Sequence, residues 1–437
     1  MGGLAAKAIA IVQRYRQQAA SLLLYQSVLN TNISQAFLAL LEALCREDST
    51  QCRLTYGAWF RAQAEAQQTW QTHLLQQILR SDNPFAQQAQ RQPLPELPAA
   101  LVTAASRDLQ RLQLLYHCQG QQLSQWVQTV CQIAETPVVW TLPQEAPTVS
   151  FPTLPDWQDG LAELTHYYRC HGVGAFNAYG AFRWHDGQLQ GIANPDPVRL
   201  GQLTAYDHPR QHLIKNTEFL LAGYPALHVL LYGSRGSGKS SLVKALLNEY
   251  RDRGLRLIEV SKTGLPQLPM IVEHVRSLPQ KFIIFVDDLS FEEDDDAFKA
   301  LKVVLEGNVT ARPQNVVVYA TSNRRHLVRE YFSERPRPSD QDEIQAWDTW
   351  QEKLSFSDRF GLTLTFEPAD QPTYLAIVKH LAAQAEIALP EPELVQQALQ
   401  WATRHNGRSG RSARQFVDFL SAELALAADA QSRSRMP

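Results

Sequence analysis

The segment Gly233-Ser234-Arg235-Gly236-Ser237-Gly238-Lys239-Ser240 combines residue types and spacing that prescribe a chemistry. It satisfies GxxxxGK[ST], with an apolar run on one side and a helical pattern on the other. Three glycines let backbone N–H groups curl around phosphates, and the positive end of the following helix adds to that field. In such a loop the lysine, here Lys239, reaches the β and γ phosphates, and the hydroxyl of Ser240 ligates Mg²⁺. The predicted nucleotide-holding residues are therefore Gly233, Ser234, Arg235, Gly236, Ser237, Gly238, Lys239, Ser240 and Ser241. The strand–loop–helix context makes a fortuitous glycine loop the poorer reading.

Two acids follow 48 residues after Lys239, where the buried run Phe282–Val286 ends in Asp287-Asp288. The first carboxylate after such a strand orients hydrated Mg²⁺, and the next polarises the attacking water. Asp287 is thus expected at the metal with Ser240, and Asp288 as the base. The acidic run Glu292–Asp296 reads instead as a solvated loop and helix start, favoured by the helix dipole. Another apolar run, Val316–Ala320, ends in Thr321-Ser322-Asn323. An amide at that tip, Asn323, would hold the lytic water or sense the γ-phosphate; the alternative is a turn asparagine. Arg324 and Arg325 would face a neighbouring subunit or nucleic acid, or form a surface salt-bridged pair.

The elements that must carry these groups are legible in the apolar pattern. Strands are predicted at His228–Tyr232, Arg256–Val260, Phe282–Val286, Val316–Ala320 and Leu362–Phe366. Helices alternate with them at Lys239–Arg251, Met270–Leu278 and Ala297–Glu306. Short apolar strands alternating with helices imply a parallel sheet covered on both faces. Three helical patterns then follow, near Pro372–Glu386, Glu391–His405 and Ser412–Ala428. They form a helical lid, with Ser412 as the expected N-cap and Gln415 completing a capping box.

Upstream of residue 140 the composition changes. Residues 1–155 hold 25 glutamines, ten basic and nine acidic residues, with apolar positions at helical spacing such as Val12, Tyr15, Ala19, Leu22 and Leu29. Four to six helices are expected there, the glutamines forming solvated faces. Pro84 and the cluster Pro93, Pro95 and Pro98 read as breaks. Five prolines between Pro137 and Pro155 mark a linker or strap. Ala181–Trp184 and Gln188–Ile192, around His185-Asp186-Gly187, look like a short hairpin.

The 437 residues carry a net charge of −3, with 19% charged and 44% hydrophobic residues. This excludes a wholly disordered chain and a globally basic nucleic-acid coat. The apolar stretches are too short for a transmembrane helix and the start does not read as a secretory signal, so a cytoplasmic location is expected. The five cysteines are Cys45, Cys52, Cys118, Cys131 and Cys170, an odd number without CxxC spacing. They read as buried or half-buried thiols in a reducing compartment.

Together these residues resemble the AAA+ ATPases and, more narrowly, the bacterial family catalogued as domain of unknown function 815. The matching stretches include Phe182-Arg183-Trp184, Asn194-Pro195-Asp196-Pro197, Leu230 through Ser241, and Phe285-Val286-Asp287-Asp288-Leu289-Ser290-Phe291-Glu292. They continue through Leu301-Lys302, Leu305-Glu306-Gly307, Tyr319 through Leu327, and Gly407-Arg408-Ser409-Gly410-Arg411. The resemblance spans about residues 175–425. It implies an α/β P-loop AAA+ fold with a five-stranded parallel sheet and a C-terminal helical lid, preceded by an all-α domain. The expected domains are 1–136 (helical), 137–197 (linker and hairpin), 198–368 (ATPase core) and 369–437 (lid and tail), with ATP and Mg²⁺ as ligands.

The resemblance also implies roles for arginines. Ser357-Asp358-Arg359-Phe360-Gly361 is similar to the arginine-finger segment of the bacterial replication initiator, so Arg359 would reach the γ-phosphate of an adjacent subunit. Its always-charged fork suits that task. A ring or filament of identical chains follows. Arg414 is the preferred lid arginine, with Arg411 as the alternative; residues around Leu203–Tyr206 and Gln211 occupy the adenine-pocket position. Two features depart from the AAA+ pattern. Asp288 stands where most members have Glu, and Ser261-Lys262-Thr263-Gly264-Leu265-Pro266 lacks the aromatic–hydrophobic–glycine pattern of polypeptide-threading unfoldases.

The preferred reading is an oligomeric Mg²⁺-dependent ATPase that remodels a protein partner docked through the N-terminal helices. The alternatives are a nucleic-acid-associated ATPase of the initiator or helicase-loader type, a slow ATP-gated scaffold, and a metabolite kinase. Net charge and the lack of a readable helix-turn-helix argue against nucleic acid.

Overall fold

A computed structural model describes residues 6–143, 149–290, 296–306, 313–323, 359–405 and 407–434. The chain divides into two compact units, Met1–Ala178 and Tyr179–Pro437.

The first unit is helical. Its elements are α1 (Ala6–Ala20), α2 (Asn32–Arg46), α3 (Ser49–Ala66), α4 (Trp70–Leu79), α5 (Pro84–Ala89), α6 (Ala99–Tyr116), α7 (Gly120–Cys131), α8 (Leu161–His171) and α9 (Ala175–Ala178). Seven helices thus precede residue 136 among the described residues, where four to six were expected. The difference lies at Pro84. Rather than only breaking a helix, it sits in the first turn of α5, where its missing N–H costs nothing, and Asn83 caps the N–H of Ala86. Thr31, Asp48 and Thr69 cap α2, α3 and α4.

The glutamines do more than line a solvated face. Gln71 donates to the carbonyls of Tyr116 and Cys118 at the end of α6, and Gln113 to those of Leu154 and Pro155. Asp108 is fully buried and accepts N–H bonds from Leu23, Leu24 and Tyr25 as well as a 2.9 Å bond from Arg111. That carboxylate pins the turn after α1. Cys52, Cys118 and Cys131 are buried and Cys45 and Cys170 half-buried, all as free thiols.

The segment set apart in the sequence as 137–197 divides between the two units. Tyr56 Oη donates to the carbonyl of Val138 and Ser124 Oγ to that of Pro137, fixing the proline strap on α3 and α7. Phe151 and Trp157 lie in the same helical core.

The second unit is built on a sheet of β1 (Ala181–His185), β2 (Gln188–Ile192), β3 (Val229–Gly233), β4 (Leu255–Glu259), β5 (Lys281–Val286), β6 (Val316–Ser322) and β7 (Leu362–Phe366). The order is β2-β1-β4-β5-β6-β3-β7, with every pair parallel except β1–β2. Seven strands replace the expected five because the hairpin joins the edge, Phe182 lying opposite Ile258. Its Ala181, Phe182 and Trp184 are buried, so the hairpin extends the core instead of standing in a linker.

Helices α10 (Asp207–Leu221) and α11 (Lys239–Tyr250) supply Leu213, Leu220, Leu242, Val243 and Leu246 to one face of the sheet. α12 (Leu268–Val275) and α13 (Asp296–Glu306) bury Leu268, Ile271, Val275, Leu301 and Leu305. The lid comprises α14 (Gln371–Gln384), α15 (Glu391–Arg404) and α16 (Gly410–Ser434), packed through Tyr374, Val378, Ala398, Phe416 and Val417. α16 starts earlier than expected. Ser409, not Ser412, provides the cap, its Oγ accepting the N–H of Ser412 at 3.1 Å.

Candidate functional site

The strand order places the C-terminal tips of β5, β6 and β3 side by side, because β6 inserts between them. Ligands of open α/β sheets bind in such a crevice, outside the carboxyl ends of the strands where the chain order switches. Three segments that are distant in sequence converge there: Gly233–Ser241, Asp287–Asp288 and Thr321–Asn323.

The glycine loop needs its glycines. Gly233 has φ +144°, Gly236 +75° and Gly238 +89°, and a Cβ on Gly233 would lie 1.9 Å from the carbonyl oxygen of Phe366. Gly238 is the N-cap of α11 and no side chain caps that helix, so its first turn presents backbone N–H groups to the loop. Ser237 is buried, its Oγ donating to the carbonyl of Ser234 at 3.0 Å; Arg235 is exposed. Ser241 is half-buried in the first turn of α11.

Lys239 is only 6% exposed. Its Nζ donates to the carbonyls of Gly233 (3.0 Å) and Ser234 (2.8 Å) and to Asn323 Oδ1 (3.3 Å). Burial lowers its pKa from the usual lysine value, and the nearby Asp287 and Asp288 carboxylates act in the opposite direction. Ser240 Oγ donates to Asp287 Oδ1 at 2.6 Å, so a hydroxyl and a carboxylate oxygen meet at the start of α11. Hard oxygen donors of this kind, one carboxylate and one hydroxyl, fit Mg²⁺, which keeps most of its waters and takes few protein ligands. Among the described residues no cluster of three His, Cys, Asp or Glu suggests another metal. The loop of uncapped N–H groups likewise fits the phosphates of a nucleotide.

Asn323 joins both halves of the site. Its Oδ1 accepts from Lys239 and its Nδ2 donates to Asp288 Oδ1 at 2.6 Å. Asp288 adopts φ +52°, a left-handed conformation that Asp tolerates better than most residues. The sequence reading missed Thr321. Its Oγ1 donates to Asp287 Oδ1 (2.5 Å) and accepts the N–H of Asp288 (2.9 Å). A hydroxyl on β6 two positions before Asn323, which follows the strand directly, was the available signal.

The arginines stand differently. Arg359 Nε pairs with Glu306 Oε1 at 3.1 Å, at the end of α13. Arg414 is exposed on α16. Arg411 meets the loop through its backbone, its N–H donating to the carbonyl of Gly236 at 3.1 Å. Tyr206, expected near an adenine pocket, has φ +56° and donates to the carbonyl of Glu367. Arg324, Arg325, Ser357, Asp358 and the acidic run from Glu292, apart from the backbone of Asp296, lie outside the described residues.

A parallel sheet with a glycine loop after one strand, two acids after another, a polar tip between them and a helical unit after the sheet defines an α/β fold of the P-loop class. The chain belongs to the family described as Protein of unknown function (DUF815), whose profile matches residues 177–424. No curated protein matches it. Among solved structures it is similar to RuvB of Thermotoga maritima. Two single-residue variants show 15% and 14% identity, each over 53% of this chain and 67% of that one, with TM-scores of 0.38. The RuvB Holliday junction branch migration motor shows 14% identity over 52% of this chain and 72% of that one, at a TM-score of 0.32. No described helix is long and apolar enough to cross a membrane.

Proposed function

We propose that this protein is a Mg²⁺-dependent ATPase that assembles into a homo-oligomer and uses hydrolysis to remodel a protein partner, in the cytoplasm. The observation that carries the nucleotide chemistry is the convergence of Lys239, Ser240, Asp287, Asp288 and Asn323 at three neighbouring strand tips. The glycine loop and the first turn of α11 would cradle the phosphates, and Lys239 Nζ would exchange its loop carbonyls for phosphate oxygens. Ser240 and Asp287 would hold Mg²⁺, which supplies charge neutralisation and Lewis acidity on the phosphate oxygens. Asp288 would accept the proton of the attacking water at a carboxylate oxygen, with Asn323 orienting that carboxylate. Arg359 would act across a subunit contact, and an arginine of the lid, Arg414 or Arg411, would read the phosphates. The helical unit is the proposed docking module for the partner, since the site chemistry makes no use of it.

The test is steady-state ATPase rate against protein concentration, with size-exclusion chromatography in ADP and in ATP. Specific activity is expected to climb as an ATP-dependent oligomer forms, and Asp288→Asn to bind ATP without turning it over. No nucleotide binding by the unsubstituted chain would overturn the proposal. Turnover independent of concentration, with a monomer in ATP, would remove the shared-site part of it.

A further inference from the structure

We infer that Thr321 is a positioning residue for both acids of the site, an inference that rests on the nucleotide reading above. Thr321 lies on β6, between the strands that carry the acids and the glycine loop, and is 2% exposed. Its hydroxyl has one proton, which goes to Asp287 Oδ1 at 2.5 Å, and a lone pair that takes the backbone N–H of Asp288 at 2.9 Å. One side-chain atom therefore ties the metal-binding carboxylate to the backbone of the proposed base.

The backbone at Asp288 explains why this tie matters. A left-handed backbone strains most residues with a side chain, Asp less than others, and it persists where its surroundings over-determine it. Three hydrogen bonds do so here: Asp288 N–H to Thr321 Oγ1, Leu289 N–H to the Thr321 carbonyl (2.7 Å), and Ser322 Oγ to the Leu289 carbonyl (2.9 Å). Thr321 supplies two of them. Aspartate reaches one methylene less than glutamate, so the course of the backbone decides where its carboxylate lies. The left-handed turn brings Asp288 Oδ1 to 2.6 Å from Asn323 Nδ2. Asp287 Oδ1 is fixed from two sides, by Thr321 and by Ser240. The turn thus sets where the Asp288 carboxylate lies, and Thr321 holds it through its hydroxyl and its carbonyl.

The experiment compares the full chain with Thr321→Val, which keeps the shape and the backbone carbonyl and loses both hydroxyl bonds, and Thr321→Ser, which keeps the hydroxyl. Each protein is first checked by thermal melting. Then nucleotide affinity without metal, Mn²⁺ affinity of the nucleotide complex by electron paramagnetic resonance, and kcat and KM are measured. Thr321→Val is expected to keep metal-free nucleotide affinity, while Mn²⁺ affinity and kcat each fall by about 10- to 100-fold. KM should change little, and Thr321→Ser should restore both losses. Thr321→Val with unchanged Mn²⁺ affinity overturns the inference. So does a folded Thr321→Ser that behaves like Thr321→Val, because the methyl group would then be what counts. Failure of the unsubstituted chain to bind nucleotide overturns the underlying reading instead, and shows before any variant is compared.

Discussion

Replacing Lys239 by methionine separates the binding role of the ammonium from its part in the fold. All three of its donors are used within the protein, on the carbonyls of Gly233 and Ser234 and on Asn323 Oδ1. The side chain is 6% exposed and burial works against its charge. Methionine keeps most of the stem volume and removes the desolvated cation, but it leaves the three acceptors without their donor, so unfolding free energy should fall by about 1–3 kcal/mol. Binding is another matter. Two charge-assisted hydrogen bonds to phosphate oxygens, at about 1.5–3 kcal/mol each, amount to about 3–6 kcal/mol. That weakens nucleotide affinity by roughly 10²- to 10⁴-fold. Anisotropy of a fluorescent ATP analogue measures the affinity, and urea unfolding without nucleotide measures the fold. In saturating ATP the unsubstituted chain should melt higher and Lys239→Met should not, because only a bound ligand shifts the equilibrium. Affinity within about threefold of the unsubstituted chain would refute the reasoning, since a difference that small is under 1 kcal/mol.

The helical unit yields two stability predictions. Asp108→Ala strands the N–H groups of Leu23, Leu24 and Tyr25 and the Arg111 guanidinium, and should cost about 2–4 kcal/mol in urea unfolding; a loss below about 0.5 kcal/mol would show that the turn is held by other means. His73 is buried among Thr31, Ser34 and Gln68, and burial lowers its pKa from 6.5 to about 4. A base with a depressed folded-state pKa binds its proton more readily when unfolded. Its contribution is therefore complete above pH 6.5 and is lost as pH falls toward 4. His73→Gln should flatten that acid limb of stability measured in urea titrations, and an unchanged limb would contradict the assignment.

Much of the sheet-containing unit was legible because its signals are local. Leu362–Phe366 matches β7, Val316–Ala320 extends by two residues in β6, and the lid helices begin near the expected positions. Short apolar runs alternating with helices mark strands buried on both faces, whatever their order in the sheet. The glycine loop was legible for the same reason, since its conformations depend on the absence of a side chain at Gly233, Gly236 and Gly238. Other features were not local. The hairpin joins the sheet through partners far along the chain, as the Arg183–Glu259 ion pair 76 residues apart shows. Ser409 rather than Ser412 caps α16, a shift of the kind that periodicity alone resolves poorly.

By itself, then, the sequence marked the glycine loop, the paired acids and the polar strand tip as candidates, and showed which runs had to be strands, because residue type and spacing fix those properties within one element. Only the tertiary structure decided that β6 lies between β5 and β3, bringing Asn323 to both Lys239 and Asp288 and Thr321 to both acids. Strand order is set by the packing of the whole sheet, and a hydroxyl becomes a positioning group only when its neighbours across that sheet are known.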